Sequence, residues 1–273
     1  VFLTSAVNRK TAASEPKKGL YGATDTGRPS DSLRLVVYDI DFKTGKIRWE
    51  REVHAGVPSL AIHVKNSYAS ETPVTDGERV YVYFGSVGLF AFDMNGKPVW
   101  SKPIGPFKTE ADWGTGASPV LHKGRLYLVH DNEEQSFLAA YDARTGREIW
   151  RVARDEGSNW ATPFVWEHAL RTEIVTNGTD KVRSYDLDGK LLWEFKGMSA
   201  LTVPTPFAKH GLLYLSSGYI GSPIQPVFVV RPGVFGDISL KGEETSNAYI
   251  AWSNKKLTSQ MPGTLVHGDY LYT

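Results

Sequence analysis

The sequence predicts an all-β chain made of stacked four-stranded sheets. Three observations carry that prediction: a turn motif at fixed phase to a tryptophan, a proline-led motif out of phase with it, and short Val/Leu/Tyr-rich runs between them.

The turn motif is spelled DFKTGKIRW (Asp41 to Trp49), DMNGKPVW (Asp93 to Trp100), DARTGREIW (Asp142 to Trp150) and DLDGKLLW (Asp186 to Trp193). Gly45, Gly96, Gly146 and Gly189 each precede their tryptophan by four residues, and the tryptophans recur at intervals of 51, 50 and 43. A degenerate fifth copy, VFVVRPG followed by YIAW, places Trp252 another 59 residues on, with VFGDISLKGEETSNA inserted between its strands. Asn95-Gly96 and Asp188-Gly189 suit tight hairpin turns. The Thr-Gly copies suit a longer turn that puts glycine in the left-handed region.

The proline-led motif starts at Pro73, Pro119, Pro163 and Pro206, each behind Ser or Thr, at spacings of 46, 44 and 43. MPGTLVHGDYLY is a fifth start without the Ser/Thr-Pro pair. A proline opening a strand loses little by its missing N–H. Each repeat therefore holds a proline-led strand, a Val/Leu/Tyr-rich strand, an aromatic-rich strand ending at Asp, and a strand carrying Trp, in about 45 residues. One such sheet cannot bury both faces, so neighbours must stack, and radial stacking of four-stranded antiparallel sheets is a β-propeller. A tryptophan at one fixed position per repeat suits the gap between blades, since such an aromatic buries ~150–250 Å². Trp49, Trp100, Trp150, Trp193 and Trp252, with Gly45, Gly96, Gly146 and Gly189, are accordingly read as structural docking residues.

Composition narrows the function classes. The 273 residues are 41% hydrophobic, enough for a sizeable core, and the formal charge of +1 supplies no global field toward nucleic acid or anionic lipid. The chain has no cysteine, which excludes disulfides, thiolate metal sites and cysteine nucleophiles within it. No signal-peptide pattern and no 18-residue apolar run occurs in it. Both ends read as strands, VFLTSAV and GDYLYT, and both as the second strand of a repeat. The expectation is a single propeller domain over residues 1–273 that is a piece of a longer protein. It holds five blades plus the start of a sixth, an open arc whose remaining blades lie before Val1 and after Thr273.

The Asp-x-x-Thr-Gly-x-x-x-Trp pattern resembles the tryptophan-docking repeat of the pyrroloquinoline-quinone (PQQ)-type propellers, over roughly residues 35 to 273. That superfamily includes quinoprotein alcohol dehydrogenases, BamB-type outer-membrane assembly lipoproteins, and bacterial PQQ-like repeat proteins without assigned activity. The RPG…GDI…W insertion is most similar to the last group. The resemblance implies a bacterial, periplasmic or otherwise exported protein. For the dehydrogenases it would also imply a vicinal disulfide, a calcium held by acidic and amide side chains, and a catalytic aspartate. The disulfide is excluded by composition, and Glu71, Glu110 and Asp112 are not in a spacing that matches the rest.

Other chemistry lacks its motifs. His54, His63, His122, His130, His168, His210 and His267 form no H-x-x-x-H pair and read as structural or solvated. GSVG at Gly85 lacks the Lys-Ser/Thr of a phosphate loop, and no G-x-S-x-G elbow occurs. DNEE, Asp131 to Glu134, reads as a solvated hairpin tip, with a calcium site as the alternative. The better functional candidates break the repeat. Just before each proline the sequence diverges, which places Tyr68, Glu71, Trp113, Asn159, Trp160 and Thr202 toward one mouth of a central channel, for a ligand or partner or for packing of the blade junctions. Two insertions, residues 8–34 and 232–247, read as long loops.

The expected function is a non-catalytic binding or assembly scaffold with no catalytic residue, no metal and no cofactor, and with a protein partner or small ligand. The alternative is a quinoprotein-type oxidoreductase using PQQ and calcium.

Overall fold

The computed structural model describes residues 1–8, 25–258 and 261–273, so most of the first insertion lies outside the described residues. They fall into two compact units: Val1–Gly124 with Asp142–Arg147, and Arg125–Tyr141 with Glu148–Thr273. The fold is all-β, built from antiparallel sheets as propeller blades are.

In the first unit, Phe2–Asn8, Leu33–Ile40 and Ile47–Gly56 form one sheet in that order, with Phe2 opposite Asp39 and Asp39 opposite Trp49. Residues 8–34 therefore connect two adjacent strands, and Thr26–Gly27 of that connection pairs with Ile62–His63. Val74–Thr75, Arg79–Phe84, Gly88–Asp93 and Pro98–Pro103 form a second, four-stranded sheet. Its two middle strands are almost wholly buried, as apolar runs covered on both faces must be, whereas Pro98–Pro103 stays partly solvated. Leu35, Val37, Trp49, Tyr68, Val80, Val82 and Phe84 share one core cluster.

The second unit holds Arg125–His130, Phe137–Asp142 as far as Tyr141, and Glu148–Ala153, then a sheet of Phe164–His168, Arg171–Thr176, Lys181–Tyr185 and Leu191–Lys196. A further sheet runs Phe207–Lys209, Leu212–Ser216, Val227–Val230 and Ile250–Asn254, and Leu265–His267 pairs with Tyr270–Tyr272. The second insertion is only in part an exposed loop: residues 241–246 are exposed, and the stretch before them is packed. Its Gly236–Asp237 pairs in parallel with Trp193–Glu194 as a fifth strand of the preceding sheet, and Val234 and Ile238 are buried in that core.

The turn motif has a local cause. Asp41 Oδ1 accepts the backbone N–H of Lys43 and Thr44 and the Thr44 hydroxyl, and Asp142 Oδ1 accepts the Thr145 N–H and hydroxyl. Asp93 and Asp186 cap their shorter turns in the same way. These donors hold the Asp41 and Asp142 carboxyls below the usual carboxylate range. Gly45, Gly96, Gly146 and Gly189 have φ of +69°, +76°, +71° and +89°, the left-handed region the motif requires.

Three tryptophans sit on the turn of the next repeat. The indole N–H of Trp49 donates to Met94 O at 3.0 Å, that of Trp100 to Ala143 O at 2.9 Å, and that of Trp150 to Leu187 O at 3.0 Å. Each ring lies so close to a turn glycine that a Cβ there would come within 2.6 Å at Gly96 and Gly146 and 2.9 Å at Gly189. Trp193 departs from this pattern. Its repeat is succeeded by Arg231-Pro232-Gly233 in place of the Asp-capped turn, and the insertion pairs along its strand. Fully buried, it donates instead to Glu173 Oε2 at 2.6 Å within its own sheet. Trp252, opposite Val229, packs half-buried against Tyr214, Val227 and Val229.

Candidate functional site

The blade-start segments are irregular backbone between a Trp-bearing strand and the next proline-led strand, so the side chains they present are fixed by local hydrogen bonds. In the first unit the structure places Tyr68, Glu71 and Trp113 in such segments. Tyr68 is buried, its hydroxyl donates to Leu60 O at 2.6 Å, and burial raises its pKa. The Trp113 carbonyl accepts Asn66 Nδ2 at 2.7 Å and its ring meets His63 edge-on.

Glu71 is the most perturbed group of this set. Its side chain is buried, Oε1 accepts the Thr115 hydroxyl and the Gly85 N–H at 3.3 Å, and Oε2 has no hydrogen-bond partner among the described residues. Burial, only partly offset by these donors, pushes its pKa from 4.5 to about 7.

In the second unit Asn159, Trp160 and Thr202 lie together in a polar network. Asn159 Nδ2 donates to Asp131 Oδ2, the Trp160 N–H donates to Thr202 O at 2.8 Å, and the Thr202 hydroxyl donates to Gly178 O at 3.0 Å. Asp131 and Asn132 are buried, so the solvated-tip reading of DNEE is corrected: only Glu133 and Glu134 of that run are exposed. Burial of Asp131 is made tolerable by Arg154, which meets it in a bidentate pair at 2.8 and 2.9 Å and also donates to Thr176 and the Tyr185 hydroxyl. Burial alone would lower the Arg154 pKa, and the charge of Asp131 more than reverses that.

Sequence reasoning missed this ion network. Glu156 accepts Arg183 Nη1 at 2.6 Å and the backbone N–H of Asp180 and Lys181. Buried Glu173 gathers His168 Nε2 at 2.7 Å, the Ser184 hydroxyl and the Trp193 indole. Arg171 Nε lies 2.8 Å from the same carboxylate as an ion pair without hydrogen-bond alignment. The sequence carries no signal for this network, because a charged run such as Arg154-Asp155-Glu156 after a strand reads as a solvated loop.

A family model described as outer membrane protein assembly factor BamB matches residues 25–159 and, in shifted register, residues 85–219. The chain belongs to this family of PQQ-like repeat propellers. A double match of one model is what a PQQ-like chain of similar repeats produces. Among solved structures, BamB from Moraxella catarrhalis is similar at a TM-score of 0.50 and 14% identity, over 88% of this chain and 75% of that one. Quinohemoprotein alcohol dehydrogenase from Comamonas testosteroni is similar at 0.48 and 15% identity, over 77% of this chain and 41% of that one. A europium-containing methanol dehydrogenase gives 0.47 and 12%, over 77% and 48%. No curated protein sequence matches the chain.

Proposed function

We propose that this PQQ-like propeller is a non-catalytic binding scaffold of an exported, periplasmic bacterial protein, acting with a protein partner in envelope protein assembly. In it Trp49, Trp100 and Trp150 serve as blade-to-blade docks. The observation that carries this reading is how the acidic side chains of the blade-start segments are used. Asp131 is held by Arg154 and Asn159, and Glu156 by Arg183 and two backbone N–H groups. Carboxylates spent on internal partners stiffen loops and are not disposed as ligands or bases. The family match supports assembly as the kind of role.

Two features weigh against a quinone site with calcium. No group of three His, Asp or Glu among the described residues is placed to hold a metal ion, and the chain supplies no cysteine pair to lie against a quinone ring. Nor is any described helix long and apolar enough to cross a membrane.

Two measurements test the reading. Incubation with PQQ and calcium is expected to leave the quinone spectrum that of the free compound, with no dye reduction in the presence of alcohols. Depletion of the protein in its source bacterium is expected to lower the amounts of outer-membrane proteins. A bound quinone chromophore with dye reduction would overturn the scaffold reading in favour of an oxidoreductase.

A further inference from the structure

We propose that the first unit carries a binding cleft for a neutral two-ring aromatic small molecule, of indole or naphthol size, walled by Leu33, Leu35, Pro58, Tyr68, Val87 and Pro106. The cleft encloses about 320 Å³. That is roughly twice the ~150 Å³ of an engineered apolar cavity that takes up benzene, and it lies at the low end of the ~300–1,000 Å³ seen for ligand pockets.

Its shape comes from the strand register. Leu33 and Leu35 point to one face of their strand, opposite Gly56 and His54. Gly56 brings no side chain to the space over Leu33, and a Cβ there would stand 3.0 Å from His54 Nε2. Leu33 and Leu35 are buried at the base, while His54, Val57 and Ser59 are exposed at the rim. The Tyr68 ring is fixed by its bond to Leu60 O and by its place in the core cluster.

The chemistry of the lining selects the ligand. Among the described residues the lining includes no carboxylate, guanidinium or ammonium side chain, and the Arg28 guanidinium beside the rim is exposed and already donates to Ser59 O at 3.1 Å, so a charged guest finds no buried partner among them. A tyrosine ring and two proline rings give flat apolar faces, which suit a planar π-system more than a flexible chain. The His54 ring and the Ser59 and Ser86 hydroxyls supply a small number of hydrogen-bonding groups for one N–H or O–H. A smaller chamber of about 20 Å³ adjoins through Tyr68, Ser86 and Pro106, with room for one water beside Gly85 and Thr115, the two residues that Glu71 holds in place.

Calorimetric titration of the whole chain with indole and with 2-naphthol tests the site. Sub-millimolar binding of one or both is expected. Ser86→Trp, which fills the cleft, should weaken binding at least tenfold with an unchanged melting temperature. Should that variant fail to fold, Val57→Trp at the exposed rim provides the same block away from the core. Absence of binding up to the solubility of both probes overturns the proposal, as does binding unaffected by a folded blocking variant. Octanol bound as tightly as naphthol overturns the aromatic preference, and a Gly-Trp-Gly peptide bound as tightly as indole overturns a free small molecule as the guest.

Discussion

At Gly96 two demands fall on one backbone position: a φ of +76° and an indole ring where a Cβ would stand. Gly124 has nearly the same φ, +75°, with nothing within 4 Å of its missing Cβ. Gly124→Ala should therefore cost only the left-handed penalty of ~1–2 kcal/mol, and Gly96→Ala at least ~1 kcal/mol more, read as the difference in denaturant midpoints. Equal costs would show that the ring over the turn contributes nothing. Trp150, half-buried and hydrogen-bonded to Leu187, should lose about 3 kcal/mol on replacement by Ala, checked in the same melts. Glu71 gives a pH signature. Its folded pKa, near 7, is raised above 4.5, so the folded state binds the proton more tightly. The stabilisation from the buried neutral acid is complete below pH ~4.5 and is lost as pH rises through 7. At 1.36 kcal/mol per unit this is on the order of 3 kcal/mol. Glu71→Gln should flatten that slope, and a parallel pH dependence in the two proteins would rule Glu71 out as its source.

Among the elements, the second insertion is the one whose role the sequence disguised. Its polar string GDISLKGEETSN reads as a surface loop, yet Gly236–Asp237 pairs along Trp193–Glu194, the Ile238 N–H donates to Glu194 O at 2.9 Å, and Ile238 is buried. Ile238→Ala should cost ~2–4 kcal/mol and speed amide exchange at Ile238, measurable by hydrogen–deuterium exchange. An exposed-loop residue would give neither effect. The turns and strands were legible because their determinants are local: Asp41, Thr44 and Gly45 act within five residues. The displaced role of Trp193 was not legible, since no Asp-capped turn succeeds its repeat and the distant strand Gly236–Asp237 pairs along it instead.

Across the whole molecule, the polar networks were the part sequence could not show. Asp131 and Arg154 are 23 residues apart and Glu156 and Arg183 are 27 apart, so pairing them requires the fold first. Tyr68, Glu71, Asn159 and Thr202 were found as repeat-breaking positions, but whether their polar groups were free could not be read from spacing. Removing one member of a buried pair strands the other charge, so Arg154→Leu should destabilise the chain by ~3–5 kcal/mol. Millimolar calcium should leave the melting temperature unchanged, because a ligand stabilises only through a site that the native state offers. A rise of several degrees would reveal an acidic site and reopen the calcium-dependent alternative.

The parallel strap of Gly236–Asp237 also changes what the rim offers to an arriving chain. An outermost strand is normally a row of open main-chain donors and acceptors on which an extended peptide can lengthen the sheet. Along Trp193–Glu194 that row is already occupied by the protein's own backbone, whereas Ile47–Gly56, Pro98–Pro103, Glu148–Ala153 and Ile250–Asn254 each end their sheet with no further strand paired to them among the described residues. Two residues of an insertion thus close one sheet edge to strand addition from outside and leave the others as they were.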